Sequence, residues 1–200
     1  MEQFDFEKIN EIVTYSKDKA EIAGALCQFL KSVGSLHLDE IITQYEHGIQ
    51  TAVLAKKEAG NASLITAALL HDIGHLVTGK EEELPDFREV DLEHEQIAVD
   101  FLKRIYPPAV LEPIRLHVDA KRYICTVDQQ YFDFLSPASK NSLELQGGRF
   151  SSLEKELFEE NEFFREAVLL RKWDDRAKVE NLEIPDIMEF KSYLEESIII

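Results

Sequence analysis

The sequence predicts an all-α fold, a globular bundle of helices. Three observations predict it. Apolar residues recur at three- and four-residue spacing through most of the 200 residues. No stretch alternates apolar and polar side chains as a half-buried strand does. Helix starts and stops fall where the periodicity breaks, at Gly34-Ser35, Gly60-Asn61, Pro107-Pro108 and the capping-box pattern Ser151–Glu154.

Taken in order, residues 5–15 and 18–33 are two core-packing helices, marked by Ile9, Ile12 and Val13 and by Ile22, Leu26, Phe29 and Leu30. A short link, Leu36–Glu40, feeds a long helix over about 40–59. Its apolar side carries Ile41, Ile42, Tyr45, Ile49, Ala52 and Val53, with His47 close to that side. Residues 62–73 are Ala-, Leu- and Ile-rich, which predicts a helix buried on most sides and ending in the doublet His71-Asp72. His75 lies one turn beyond His71, on the same face. Residues 78–90 are acidic and aperiodic, a surface loop long enough to cover a site. Asp91 caps the next helix, in which His94, Ala98, Phe101, Leu102 and Ile105 recur. After Pro107-Pro108 a helix runs to about residue 120, carrying His117 and, one turn on, Lys121. Shorter elements fill 123–150, and Ser151 opens another helix. The last long helix spans about 160–180, with Phe163, Phe164, Val168, Leu169, Leu170 and Trp173 turned inward. Pro185 starts a terminal helix, and Ile198–Ile200 pack as a tail.

The length fits a single domain, residues 1–200. No apolar run reaches the length of a membrane span. The start, Met1–Glu7, lacks the basic residues and apolar run of a signal peptide, so a cytoplasmic location is expected. Cys27 and Cys125 are the only cysteines and read as reduced buried thiols. The formal net charge of −17 argues against nucleic acid and anionic membranes as partners. It also means that a small anion must be captured by a local cationic pocket.

All six histidines, His37, His47, His71, His75, His94 and His117, fall between residues 37 and 117. Most lie on or beside helices expected to be buried, where an imidazole needs a partner. His47, His71, His94 and His117 recur at intervals of 24, 23 and 23 residues. That is one imidazole per helix-turn-helix step, so converging helices each present one to a common centre. Four histidines and Asp72 exceed a single open metal site. A second carboxylate opposite them completes a two-metal centre with Asp72 as the bridge. Imidazole mixed with carboxylate suits iron or manganese better than structural zinc, which recruits thiolates.

His47, the His71-Asp72 doublet and a late aspartate form the His, His-Asp, Asp signature of the HD-domain superfamily, and His94 and His117 resemble its binuclear branch. The chain most resembles the mixed-valent di-iron oxygenases that cleave the carbon–phosphorus bond of 1-hydroxyphosphonates, relatives of myo-inositol oxygenase. The likeness covers about residues 37–178, including the stretches around His47, His71–His75, His94, His117–Lys121, Ser139–Ser142, Gln146–Gly148 and Arg171–Lys178. It implies an HD-domain helical bundle with helices 1–34 and 185–200 packed on a metal-binding core. It implies two iron ions (Fe2+/Fe3+), one held by His47, His71, Asp72 and Asp174, the other by Asp72, His94 and His117. Asp175 adjoins Asp174, and Arg171 one turn earlier favours Asp174 as the inward carboxylate. Lys121, Ser139, Ser142 and Arg171 would bind the phosphonate, two cations and two hydroxyls around a dianion.

In this family a tyrosine three residues before a glutamate precedes the first histidine ligand. Here Glu40 is in place and His37 stands at the tyrosine position. Glu40 and His75 resemble residues that read the amino group of 2-amino-1-hydroxyethylphosphonate, and Asp72, His75 and Lys121 would act in catalysis. The implied reaction uses O2 to cleave the C–P bond of that compound or a close analogue, giving phosphate and a carboxylic acid such as glycine. The rival reading is an HD-domain metal-dependent phosphohydrolase acting on a nucleotide or phosphate ester. A third is a non-catalytic metal-binding or sensory module.

Overall fold

The structure is a computed structural model, and it describes residues 6–34, 42–77 and 93–200. Among the described residues every regular element is helical: α1 (Phe6–Tyr15), α2 (Lys19–Val33), α3 (Gln44–Glu58), α4 (Ala62–Leu70), α5 (Gly74–Val77), α6 (His94–Leu102), α7 (Pro108–Val127), α8 (Gln129–Phe134), α9 (Pro137–Leu145), α10 (Ser152–Glu159), α11 (Phe164–Arg176) and α12 (Lys191–Ser197), the last entered through a 3-10 turn, Ile187–Phe190. His37, Glu40, the 78–90 loop and the capping role of Asp91 lie outside the described residues.

Helix α4 is the axis. Every residue from Leu64 to Leu70 is buried, because α3, α7, α11 and α12 all pack on it. Its small residues, Ala67 and Ala68, let those neighbours approach. Gly48 of α3 shows how close they come: a Cβ there would stand 3.0 Å from the Leu69 carbonyl oxygen. Helices α1, α2 and α12 share one apolar core with α3–α7, whereas α7, α10 and α11 enclose a smaller cluster around Phe150, Phe158 and Ala167.

Several boundaries differ from the sequence reading, each for a local reason. Helix α3 starts at Gln44, since Thr43 caps it. The Thr43 hydroxyl accepts from Glu46 N at 3.1 Å, and Glu46 accepts from Thr43 N at 2.8 Å. Ile42, expected on the helix, therefore precedes the cap. Thr43→Ala is expected to cost about 1 kcal/mol. For a chain of this size that is a fall of about 2–4 °C in Tm, measurable by calorimetry.

Helix α7 runs past residue 120 to Val127, where Asp128 caps α8 by accepting from Tyr131 N. Helix α11 is shorter than 160–180, because Asn161 holds the Phe163 amide before it begins. Its inward face is Ala167, Leu170, Arg171, Trp173 and Asp174. Leu169 lies off that face and is 40% exposed. In the terminal tail Ile198 is buried and Ile199 is exposed, its amide donating to the Ile105 carbonyl. Both cysteines are free and buried.

Candidate metal centre

The centre forms where α4 ends. An unbroken helix would turn His71 and Asp72 about 100° apart. After Leu70 the backbone tightens into three-residue hydrogen bonds, Ile73 N to Leu70 O, His75 N to Asp72 O and Leu76 N to Ile73 O. The doublet therefore sits in a turn, and the expected helix over 62–73 stops three residues short. The His75 ring stacks on His94, with centroids 4.1 Å apart and planes 16° apart.

Four helices deliver imidazoles to the Asp72 carboxylate. Asp72 Oδ1 lies 3.5 Å from Nε2 of both His71 and His94 and 3.7 Å from that of His117. Asp72 Oδ2 lies 3.6 Å from His47 Nε2. Asp174 Oδ1 lies 3.2 Å from His47 Nε2 on the far side. Asp72 thus stands between two histidine pairs, His47 with His71 and His94 with His117.

The tautomers explain why a cation belongs here. Nδ1 of His47, His71 and His117 lies 3.0, 2.9 and 2.7 Å from the carbonyl oxygens of Ala177, Ala68 and Ile114. Each Nδ1 is therefore a protonated nitrogen, donating to a backbone oxygen, which leaves Nε2 of neutral His71 and His117 with a lone pair, while His47 Nε2 also faces Asp174. Yet the Nε2 atoms approach one another, 3.2 Å between His47 and His71 and 3.1 Å between His94 and His117. With both rings neutral, a proton between His47 and His71 would break an Nδ1 bond to a buried carbonyl, whereas His94 Nδ1 in the other pair lies 3.4 Å from Glu95 Oε2. A metal ion between them accepts both lone pairs and leaves those bonds intact.

Burial, reinforced by neighbouring imidazoles, pushes His71 down and His117 well down from the usual histidine value, so both stay neutral. Burial would lower His47 as well, but the Asp174 hydrogen bond and charge outweigh it and raise it. Asp72 and Asp174 resist burial: the histidines hold Asp72 well below the usual carboxylate range, and Arg171 does the same for Asp174. Ligand atoms converge in two groups, His47 with His71 and Asp72, and Asp72 with His75 and His94. His75 thus brings a ring nitrogen near the second group. His117 also approaches that group, its Nε2 lying 3.1 Å from that of His94 and 3.7 Å from Asp72 Oδ1.

Beside this cluster lies a cationic pair. Arg171 is 6% exposed and Lys121 3% exposed. Lys121 Nζ donates to Ser142 Oγ and Gln146 Oε1, each at 3.1 Å. Burial, helped by the charge of Arg171, brings Lys121 down to about 7. Arg171 Nη1 is 2.8 Å from Asp174 Oδ2, Nη2 pairs with Asp175, and its buried Nε has no hydrogen-bond partner among the described residues. Ser139 takes part in the cap of α9, where its amide donates to Ser136 Oγ and its hydroxyl oxygen accepts from it, each at 3.1 Å.

Residues missed by the sequence reading complete the surroundings. Gln146 reaches Lys121 because Gly147 and Gly148 both take positive φ, +96° and +70°, reversing the chain against α7, where Arg122 binds the Gly148 carbonyl. Gln50 pins the segment that receives His47, its side chain bonding both Val179 O and Val179 N. Gln146 and Gln50 stand inside stretches that carried the resemblance, but no spacing rule marks either.

Residues 44–176 match the HD domain family. The chain belongs to that family, whose defining doublet is the pair at the end of α4. It is 43% identical over 185 residues to a hydroxymethylphosphonate dioxygenase of Gimesia maris, covering 92% of each chain. It is 36% identical over 157 residues to a 1-hydroxy-2-(trimethylamino)ethylphosphonate dioxygenase (glycine-betaine-forming) of Leisingera caerulea, covering 77% of this chain and 78% of that one. No helix among the described residues is long and apolar enough to cross a membrane.

Proposed function

We propose that the chain is a single-domain di-iron oxygenase that uses O2 to cleave the C–P bond of a small 1-hydroxyphosphonate. The observation that carries this reading is the position of Asp72, whose carboxylate is approached by Nε2 of all four histidines, Oδ1 facing His71, His94 and His117 and Oδ2 facing His47, beside the buried Lys121 and Arg171. Both named relatives are dioxygenases of hydroxyphosphonates. Hydroxymethylphosphonate and 2-amino-1-hydroxyethylphosphonate are the first substrates to test.

His47, His71, Asp72 and Asp174 would hold one iron, and Asp72, His94 and His117 the other. When bound, such a pair supplies the redox chemistry and O2 activation that no side chain offers. The chain's own groups do the rest. Lys121 and Arg171 provide the positive charge for a phosphonate dianion in a protein of net charge −17. With its value near 7, Lys121 gains a proton as the dianion arrives, so its charge is completed by binding. Ser142 Oγ accepts from Lys121 and keeps its own proton to donate to a phosphonate oxygen. Arg171 Nε is a further donor, without a partner among the described residues. His75 is driven by burial, then by His94, down to about 3, so it stays neutral and can accept a hydrogen bond from a substrate ammonium group. The substrate carbon is oxidised and O2 reduced: one O2 per substrate yields phosphate, a carboxylate and a proton.

Protein purified without oxygen and analysed for metal tests the reading. The expected result is two irons per chain and one O2 consumed per phosphate released. Phosphate release without O2, dependent on added manganese or magnesium, would replace it with a hydrolase.

A further inference from the structure

Arg171 is held from both ends. Asp174, three residues on, takes Nη1 at 2.8 Å, and Asp175, four residues on, takes Nη2. The two carboxylates differ in surroundings. Asp174 is 5% exposed and wedged against His47. The Asp175 side chain is 20% exposed and reaches no histidine within ion-pair distance among the described residues. Its second oxygen accepts from the Tyr131 hydroxyl, which comes from α8, 44 residues away in sequence. Helix α8 is fixed in turn: Asp128 caps it, Arg149 bonds Gln129, and the Arg149 guanidinium lies 3.9 Å from the Phe132 ring centroid.

We infer that Tyr131 and Asp175 are positioning residues for anion binding, a relay that sets the angle of the Arg171 guanidinium towards the phosphonate. Asp174 alone fixes one nitrogen and leaves the guanidinium free to pivot about that contact. The second anchor at Nη2 removes the pivot. A partly exposed carboxylate would swing into water, and the phenol prevents that by holding its other oxygen. Burial raises the Tyr131 phenol, so it remains the donor. Asp175 is therefore the neighbour that aims the cation, while Asp174 is the one beside the metal site. The relay predicts substrate affinity without metal affinity.

This inference rests on the anion-binding part of the proposed function. Its test is Tyr131→Phe, which removes one oxygen, with Asp175→Asn as the second variant, both in iron-loaded protein. Inorganic phosphate binding is measured under argon by calorimetry, and steady-state kinetics follow with hydroxymethylphosphonate. Losing a charge-assisted anchor is expected to weaken phosphate binding and raise KM together, by about tenfold. kcat should stay within about twofold and iron content should be unchanged. Phosphate affinity unchanged in both variants overturns the inference, as does loss of iron or a fall in kcat alone. Should Tyr131→Phe fail to fold, Asp175→Asn decides. Failure of both to fold also overturns it, because the relay assigns the pair no part in folding. If phosphate affinity falls and no hydroxyphosphonate consumes O2, the relay stands and the oxygenase reading falls.

Discussion

Asp72→Ala is expected to abolish metal binding and turnover together. Among the described residues its carboxylate lies between both histidine pairs, with Nε2 atoms at 3.5–3.7 Å around its two oxygens. Without it each pair keeps only imidazoles, and the first site keeps Asp174 as its lone carboxylate. Turnover should fall by at least about a thousandfold, on the order of 4 kcal/mol of transition-state stabilisation. The metal-free protein should still fold, because Asp72 belongs to the site and not to the apolar core. Its Tm should stop responding to added iron, since ligand stabilisation requires a site to bind. Calorimetry with and without iron, beside metal analysis, checks both halves. Asp72→Asn controls for the volume removed. A variant that kept two metals per chain would show that Asp72 is no bridge.

Gly74→Ala should remove half of the centre through the backbone alone. A Cβ at Gly74 would stand 1.9 Å from the His94 carbonyl oxygen, 2.8 Å from its carbon and 3.1 Å from Ala98 N. These are main-chain atoms, so no rotamer relieves the clash, and α6 must move away from α5. His94 starts α6 and leaves with it. Overpacking of this kind costs about 1–3 kcal/mol. The larger effect is on the site: a displacement of about 1 Å can reduce rate on the order of a hundredfold. The expected outcome is one metal retained, by His47, His71, Asp72 and Asp174, and a fall in kcat of at least about that size. Metal analysis of Gly74→Ala beside His94→Ala should give matching stoichiometry. Two metals and a kcat within about twofold of the parent would show that the α5–α6 contact does not set the site.

These two residues mark what the sequence discloses and what it hides. Asp72 is legible because a carboxylate beside a histidine at the end of an apolar helix is rare and chemically costly. The histidines at 24- and 23-residue intervals are legible because each helix step contributes one. Gly74 reads from sequence only as a turn glycine. Its real constraint is a neighbouring helix, which arrives after the undescribed stretch 78–92. Asp174 and Asp175 show the same limit. Both lie within helical reach of Arg171, and only the tertiary position of His47 separates the metal side from the cation side. Tyr131 was unreadable for that reason too, since its partner lies 44 residues away on another helix. Periodicity gives the faces of helices, but the contacts between faces depend on how closely the axes approach.

Anomalous diffraction at the iron edge, from crystals of iron-loaded protein grown without oxygen, tests the shared role of Asp72 most directly. The account requires two peaks about 3.5–4 Å apart, one among His47, His71 and Asp174, the other between His94 and His117, with the Asp72 carboxylate between them. A single peak, or a second one away from His94 and His117, would contradict it.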